Sequence, residues 1–372
     1  MTDIFLFGTL LDPALRAIVL GDHPQAMPAR LPGWRVERAE GGDWPILVPC
    51  DGAAAEGLVL APSDKGTARL DFYEAGFAYR LEETTVETAE GSRPVRVYRA
   101  PEGAGAGEAW HLPDWQAAHG AMTRLAAEEA MSLYGDVEAD TLRFRMGTIR
   151  ARAHSTIRAG QGAAPTTVRA ATHRDEVRVL DHRVPYHHFF AVAQTDLRHP
   201  TFDGGLSDPM ERAAFWMSDA VTVLPFDPVR RRVLLVEQFR YGPYLRGDPY
   251  PWQLEPIAGR LDPGETPETA ARREALEEAR LEIGKMYHVG GYYPGPGAVS
   301  EYIDSYVGLA DLPDTAETVA GLETEQEDIR SHVLSLDAAL VLADSGEAAT
   351  APLLVSLFWL DRALRWGTFD PA

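Results

Sequence analysis

The chain has one cysteine, Cys50, and only two lysines, Lys65 and Lys285, among 372 residues. A single cysteine excludes an internal disulfide. No apolar run approaches the roughly 20 residues of a membrane span, and the first residues lack the layout of a signal peptide, so the cytoplasm is the expected location and no membrane is expected as a partner. Positive charge is also scarce: 35 Lys and Arg against 56 Asp and Glu leave a net charge of -21. That balance excludes general nucleic-acid binding, because a phosphate backbone is held by dense positive charge. The near absence of lysine beside abundant arginine reads as a coding bias rather than a functional choice.

What remains is an ordinary soluble composition, 45% hydrophobic and 24% charged, with enough length for two domains. Ile4 to Phe7 read as a short strand, Gly8-Thr9-Leu10 as a tight loop and "DPALRAIVLG" as a helix closed by Gly21. Short β-like runs follow ("GWRVERA", "GLVLAP", "VRVYRAP"), then an Ala-rich helical stretch from Asp114 to about Tyr134. "RAGQGAAPTT" is the best linker candidate. The expected division is therefore 1–157, a linker over 158–167, and a second domain over 168–372. In that second domain, "DAVTVLPFDPVRRRVLLVEQFR" reads as two strands joined at Asp227-Pro228, and Leu353, Leu357, Leu360 and Leu364 mark an amphipathic helix near the C-terminus.

One stretch raises an electrostatic question. "GRLDPGETPETAARREALEEARL" starts a helix at Thr266-Pro267, an N-cap followed by a proline suited to the first turn. Glu274, Glu277 and Glu278 then fall on one side of it, where each like-charge pair costs about 0.2–0.5 kcal/mol. Ala271, Ala275 and Ala279 form a small-residue side, and Leu276 is expected to reach toward the core. A solvated acidic face is the simplest reading of "EALEEAR" alone. The alternative is a hard divalent cation, since Mg²⁺ favours carboxylate oxygens and keeps water and phosphate as further ligands.

The full spacing favours the cation. Gly259, Glu265, Arg273-Glu274 and Glu277-Glu278 stand at the intervals of the Nudix box, which this stretch closely resembles; the glycine near the end of that box is Arg280 here. "VLPFDPVRRRVLLVEQFR", "PWQLEPIAGRLDPGE", "PGPGAVSEY" and "GLETEQEDIRSHVLSL" extend the resemblance, over about 175–370, to the ADP-ribose pyrophosphatase branch of Nudix hydrolases. The tellurite-resistance-associated bacterial proteins are the subgroup it suggests.

The resemblance implies an α/β/α sandwich with a mixed sheet, working as a homodimer on a small nucleoside diphosphate sugar. It implies Mg²⁺, with Mn²⁺ as a substitute, held by the carbonyl of Ala258 and by Glu274, Glu278 and Glu327, with Glu277 beside them and Glu265–Arg273 a structural ion pair. The water-activating base is expected outside the box, and Glu325 is the candidate, in a loop where Glu323, Glu327 and Asp328 compete with it. Arg212, Arg240 and Arg260 match positions that meet the substrate, Glu301 a position near the terminal ribose, and Gly295-Pro296-Gly297 a shaping loop. Phe189 and Phe190 match an aromatic pair that stacks on adenine from the partner chain; aromatic core residues are the competing reading.

"FLFGTLLDP" with "LDFYEAGFAYRLEETTVET" resembles the γ-glutamylcyclotransferase-like fold over about 1–115, a small β-barrel with helices. That resemblance implies substrate binding by the amides of Gly8, Thr9 and Leu10 and proton transfer by Glu74, giving 5-oxoproline from a γ-glutamyl amine. Phe7 replaces the usual tyrosine, and an inactive docking domain is the alternative. The whole reads as an α+β two-domain protein that hydrolyses ADP-ribose to AMP and ribose 5-phosphate. The alternatives are another nucleoside diphosphate sugar such as GDP-mannose, or a non-catalytic ADP-ribose sensor.

Overall fold

Ile4 and Leu6 face one apolar cluster and Phe5 and Phe7 another, so the first strand alone separates two cores. The computed structural model describes residues 3–101, 103, 105–162, 165–188, 190–314, 319–320 and 328–367. The chain divides into two compact units, Met1–Ala164 and Pro165–Ala372.

The first unit runs β1 (Ile4–Leu6), α1 (Pro13–Leu20), β2 (Ala26–Ala39), β3 (Pro45–Leu60), α2 (Asp64–Ala75), β4 (Arg80–Thr88), β5 (Gly91–Arg99), β6 (Ala106–Ala109), α3 (Leu112–Trp115), α4 (Ala121–Ser132) and α5 (Ala139–Gln161). Strands β3, β1, β5, β4 and β2 pair in that order, and a long β2–β3 hairpin closes them into a five-stranded barrel; β6 adds to β2. Phe5, Leu31, Val86 and Val97 fill the barrel, while Ile4 and Leu6 pack outward on Leu15, Leu70, Leu142 and Ile149 of the helices. Asp12 caps α1 by accepting from the Leu15 amide at 2.8 Å, and Gly21 ends that helix at φ 67°. The last turn of α5 takes in Arg158 to Gln161, where Arg, Ala and Gln favour a helix and Gly160 does not, so four residues of the stretch read as linker are helical.

In the second unit, β7 (Arg178–His187), β8 (Ala191–Arg198) and β9 (Met210–Trp216) form a three-stranded antiparallel sheet. Then come β10 (Ala220–Asp227), β11 (Arg232–Phe239), α6 (Tyr241–Arg246), β12 (Trp252–Glu255), β13 (Ile257–Arg260), α7 (Pro267–Ala279), β14 (Met286–Tyr292), β15 (Ile303–Leu309), β16 (Val319–Ala320), β17 (Ile329–Ser335), α8 (Leu336–Ser345) and α9 (Ala351–Trp366). The sheet order β14-β15-β10-β11-β17-β16 is mixed, since β10 and β15 are parallel while β11 runs antiparallel to both its neighbours. Strand β13 pairs with β10, and β12 with β11.

Alternation along β10 and β11 again sorts the core. Val221, Val223, Leu234 and Val236 meet Ala270, Ala271 and Ala275 of α7, whereas Leu224, Phe226, Val233 and Leu235 meet Leu353, Leu357 and Leu360 of α9. Small side chains let α7 lie close to the sheet. Leu276 does not join this core as expected: it is 56% exposed, because it lies about 100° round the helix from buried Ala275.

Candidate active sites

Helix α7 begins as its sequence suggests, with Thr266 accepting from the Thr269 amide at 3.2 Å and Pro267 in the first turn. It ends at Arg280, which takes the left-handed conformation (φ 51°, ψ 37°) that a glycine adopts without cost. The Arg280 amide donates to Leu276 O and the Leu281 amide to Ala275 O, both at 3.0 Å. The helix end thus keeps the five-to-one bond of an αL cap, from the Arg280 amide to Leu276 O, despite the missing glycine.

The crowded carboxylates are held by one arginine. Arg273 Nη1 donates to Glu274 Oε1 at 2.7 Å and Glu277 Oε2 at 3.0 Å, while its Nε and Nη2 grip the two oxygens of Glu265 at 3.1 and 3.0 Å. Nη2 also donates to the carbonyl of Arg260 at 3.0 Å, tying the helix to the end of β13. These carboxylates lift the Arg273 pKa above its ordinary value, Glu265 contributing most through its hydrogen bonds. Glu278 is 2% exposed, and one of its oxygens lies 3.4 Å from the Ala258 amide on β13.

Beside β13 stands a second charged group. Burial raises the Glu301 pKa, with Asp219 acting in the same direction, while Arg260 and Arg240 oppose it; these four charges therefore lie in one neighbourhood. Arg240 Nε donates to Glu255 Oε2 at 2.7 Å. Three residues singled out from sequence, Arg240, Arg260 and Glu301, are thus brought together. Asp219 and Glu255 were not singled out, since neither belongs to a spaced pattern.

Aromatic residues form a third group. Phe190 packs edge-on against Phe215 with centroids 5.1 Å apart, and the Phe215 amide donates to Ala298 O at 2.8 Å, in the loop carrying Gly295, Pro296 and Gly297. Arg212 on β9 is exposed and donates to the Glu211 carbonyl at 2.9 Å. Phe189, Glu323, Glu325 and Glu327 lie outside the described residues.

Among the described residues no group of three or more His, Cys, Asp and Glu side chains is gathered closely enough to hold a metal ion. The donor chemistry nevertheless suits one: Glu274, Glu277 and Glu278 offer only oxygens beside the Ala258 backbone, as hard divalent cations prefer. Gly259 leaves the room for this, because a Cβ there would fall 1.8 Å from Glu274 Oε1.

The first unit carries a separate cavity. The Gly8-Thr9-Leu10 loop and Glu74 of α2 line it together, with Tyr73, Tyr79 and Trp115 as aromatic walls. Burial, with help from the charge of Asp71, pushes the Glu74 carboxyl up to about 8. Asp43 and Arg150 also line this cavity, paired at 2.6 Å; with 107 positions between them, no local pattern links the two. Tyr79 donates to the Pro45 carbonyl at 2.7 Å and fixes the cavity rim.

Comparisons with known proteins agree with this division. Residues 216–355 match the NUDIX domain family, and residues 4–117 match the family described as gamma-glutamyl cyclotransferase, AIG2-like. A protein named ADP-ribose pyrophosphatase from Escherichia coli (strain K12) is 37% identical over 187 residues, covering 50% of this chain and 88% of the relative. The protein of the same name from Haemophilus influenzae is 31% identical over 189 residues, 50% of this chain and 87% of the relative. A GDP-mannose pyrophosphatase from Salmonella arizonae is 30% identical over 168 residues, 44% of this chain and 86% of the relative. No helix among the described residues is long and apolar enough to cross a membrane. Box spacing, Arg273-centred carboxylates and extended likeness to these pyrophosphatases agree, and the chain belongs to the Nudix family, with a second domain at its N-terminus that matches the AIG2-like cyclotransferases.

Proposed function

We propose that the second unit, an α/β/α sandwich, hydrolyses the diphosphate of ADP-ribose to AMP and ribose 5-phosphate. The observation that carries this reading is the carboxylate row of α7, fixed by Arg273 against β13, within a stretch 37% identical to an ADP-ribose pyrophosphatase. Mg²⁺, or Mn²⁺ in its place, would be held by the Ala258 carbonyl, Glu274 and Glu278, with Glu277 and Glu327 alongside. When bound, it would neutralise diphosphate charge and lower the pKa of a water.

The chain's own residues do the rest. Arg240 and Arg260 receive the diphosphate, since guanidinium forks match phosphate oxygens, and Glu301, which feels the charge of both, takes ribose hydroxyls. Phe190 and Phe215, with Phe189, provide a face on which adenine stacks. Glu325 accepts the proton of the attacking water as its oxygen bonds to phosphorus and the diphosphate P–O bond breaks. Arg212 meets the substrate from β9 of the partner chain or its own. The homodimer is supported by the apolar exposure of the three-stranded sheet, where Val179 is 61% and Leu180 54% exposed.

GDP-mannose is the competing substrate, given the more distant relative of that name. Incubating the chain with each compound and Mg²⁺ and quantifying AMP or GMP decides between them. Faster release of GMP would overturn the reading, and saturable ADP-ribose binding without AMP would leave a sensor.

A second site is supported by Glu74 and the Gly8-Thr9-Leu10 loop sharing one cavity. There the loop amides bind a γ-glutamyl group and Glu74 moves the proton of its α-amino nitrogen. That nitrogen bonds to the γ-carbonyl carbon, the γ-amide C–N bond breaks, and the proton ends on the departing amine, so 5-oxoproline forms without a co-reactant. Release of 5-oxoproline from a γ-glutamyl amine is the test, and none would leave the domain a docking module.

A further inference from the structure

Three hydroxyls of the second unit form a row that the site described above does not use. Tyr292 stands opposite Ile303 in the β14–β15 ladder, and its side chain reaches the diagonal neighbour two positions on, where its hydroxyl oxygen lies 3.0 Å from Ser305 Oγ. Ser305 in turn faces Thr222 across the parallel β15–β10 pair, Oγ to Oγ1 at 2.7 Å. Thr222 pairs on its other side with Ala258 of β13, so the row ends beside that strand.

Counting protons gives the row a direction. Three hydroxyls bring three O–H donors, and the two bonds between them use two. Thr222 is 2% and Ser305 0% exposed, and among the described residues neither has a hydrogen-bond partner outside the row. Buried donors are paired, so Thr222 donates to Ser305 and Ser305 to Tyr292. Burial raises the Tyr292 pKa while the Ser305 bond acts to lower it, as a donor to the phenol oxygen does. The unspent proton is therefore that of Tyr292, the one member of the row that is only partly buried.

An open acceptor stands near it. Glu301 is also partly buried, yet among the described residues it accepts no hydrogen bond. Its charge acts on the Tyr292 hydroxyl, so the two share one neighbourhood without a bond joining them. A forced donor and an unfilled acceptor together suit a group that accepts and donates through one atom, which in a nucleoside diphosphate sugar is an alcohol hydroxyl.

We propose that Tyr292 is a substrate-binding residue of the second unit, its O–H donating to a hydroxyl oxygen of the terminal ribose while that same hydroxyl donates to Glu301. The inference rests on the ADP-ribose reading above and adds to it a residue that makes the site select a hydroxyl at this position. Ser305 and Thr222 act behind it, by committing the Tyr292 oxygen to accept from within and donate outward.

The test uses the full chain with Mg²⁺ and three compounds, ADP-ribose and its two analogues lacking the 2- or the 3-hydroxyl of the terminal ribose, with AMP as the readout. The wild type is expected to favour ADP-ribose over one of the analogues by roughly 30-fold or more in kcat/KM, because that analogue leaves both a phenol donor and a carboxylate unpaired. Tyr292→Phe should cut this preference about 5- to 10-fold, ADP-ribose losing through KM and the analogue hardly changing. An equal loss on all three compounds, no loss on any, or no preference in the wild type would overturn the contact and leave the pyrophosphatase reading intact. Absence of AMP from ADP-ribose in the wild type would sink that reading and the contact with it. Should Tyr292→Phe lose its cooperative melting, 3-fluorotyrosine placed at position 292 decides: it is the stronger donor, and a preference that fails to rise counts against the contact.

Discussion

Gly259 lies against Glu274 so closely that a Cβ at Gly259 would stand 1.8 Å from the Glu274 carboxylate oxygen. No side chain fits between β13 and α7 at this level without moving the carboxylate. Gly259→Ala is therefore expected to leave the unit folded yet lower ADP-ribose turnover by about 100-fold, the scale of a misplacement near 1 Å. Steady-state kinetics against Mg²⁺ concentration would check this, and unchanged kcat would remove Glu274 from the site.

Arg273 pairs with Glu265 in the loop before α7 and with Glu274 and Glu277 on α7 itself, and it is 29% exposed. Arg273→Ala leaves Glu265, Glu274 and Glu277 facing one another, at an expected cost of about 2 kcal/mol in urea unfolding. Added Mg²⁺ should recover more stability in this variant than in the wild type. Equal recovery would mean that the cation and Arg273 do not share these carboxylates.

Arg280 has φ 51° at the end of α7, a conformation costing a non-glycine residue roughly 1 kcal/mol. Arg280→Gly should stabilise the chain by about that amount, read as a rise in melting temperature, with turnover preserved.

Glu74, with a pKa raised by burial to about 8, gives the first unit a pH signature. The folded state holds this proton more tightly than the unfolded state, whose glutamate titrates near its ordinary value of 4.5. The contribution is thus complete below about pH 4.5 and declines as pH rises toward about 8. Urea unfolding over that window should lose stability with pH in the wild type and do so less steeply in Glu74→Gln. Release of 5-oxoproline should rise toward pH 8 as Glu74 becomes able to accept a proton.

Glu325→Gln should bind ADP-ribose with near-normal KM and lose most of its kcat, whereas Glu278→Gln should first demand more Mg²⁺. Near-normal turnover in Glu325→Gln would move the base to a neighbouring acid of that loop.

Local features were legible in the sequence wherever one short stretch determines them. The cap at Thr266, the proline after it and the leucine spacing of α9 all depend on neighbours within a turn or two. The carboxylates on α7 belong with these, because one helix suffices to align them. Leu276 escaped because the side of α7 turned to the sheet is the one marked by Ala270, Ala271 and Ala275, about 100° away from it, and only packing shows which side that is. Asp43 and Arg150 escaped because a β-turn and a helix far apart in sequence meet only after the barrel and α5 have packed. Arg240, Arg260 and Glu301 could be named from motif likeness, but their common neighbourhood could not.

The hairpin of β2 and β3 closes the barrel and, at its tip, places Asp43, Trp44 and Pro45 in the cavity wall. The seam of the barrel and the mouth of the pocket are consequently one piece of chain. A molecule lodged there rivets the seam, and its departure is coupled to fraying of the same strands. The amides of Ile46 to Val48, paired across to β2, would then report occupancy through slower hydrogen exchange, without any chemistry taking place.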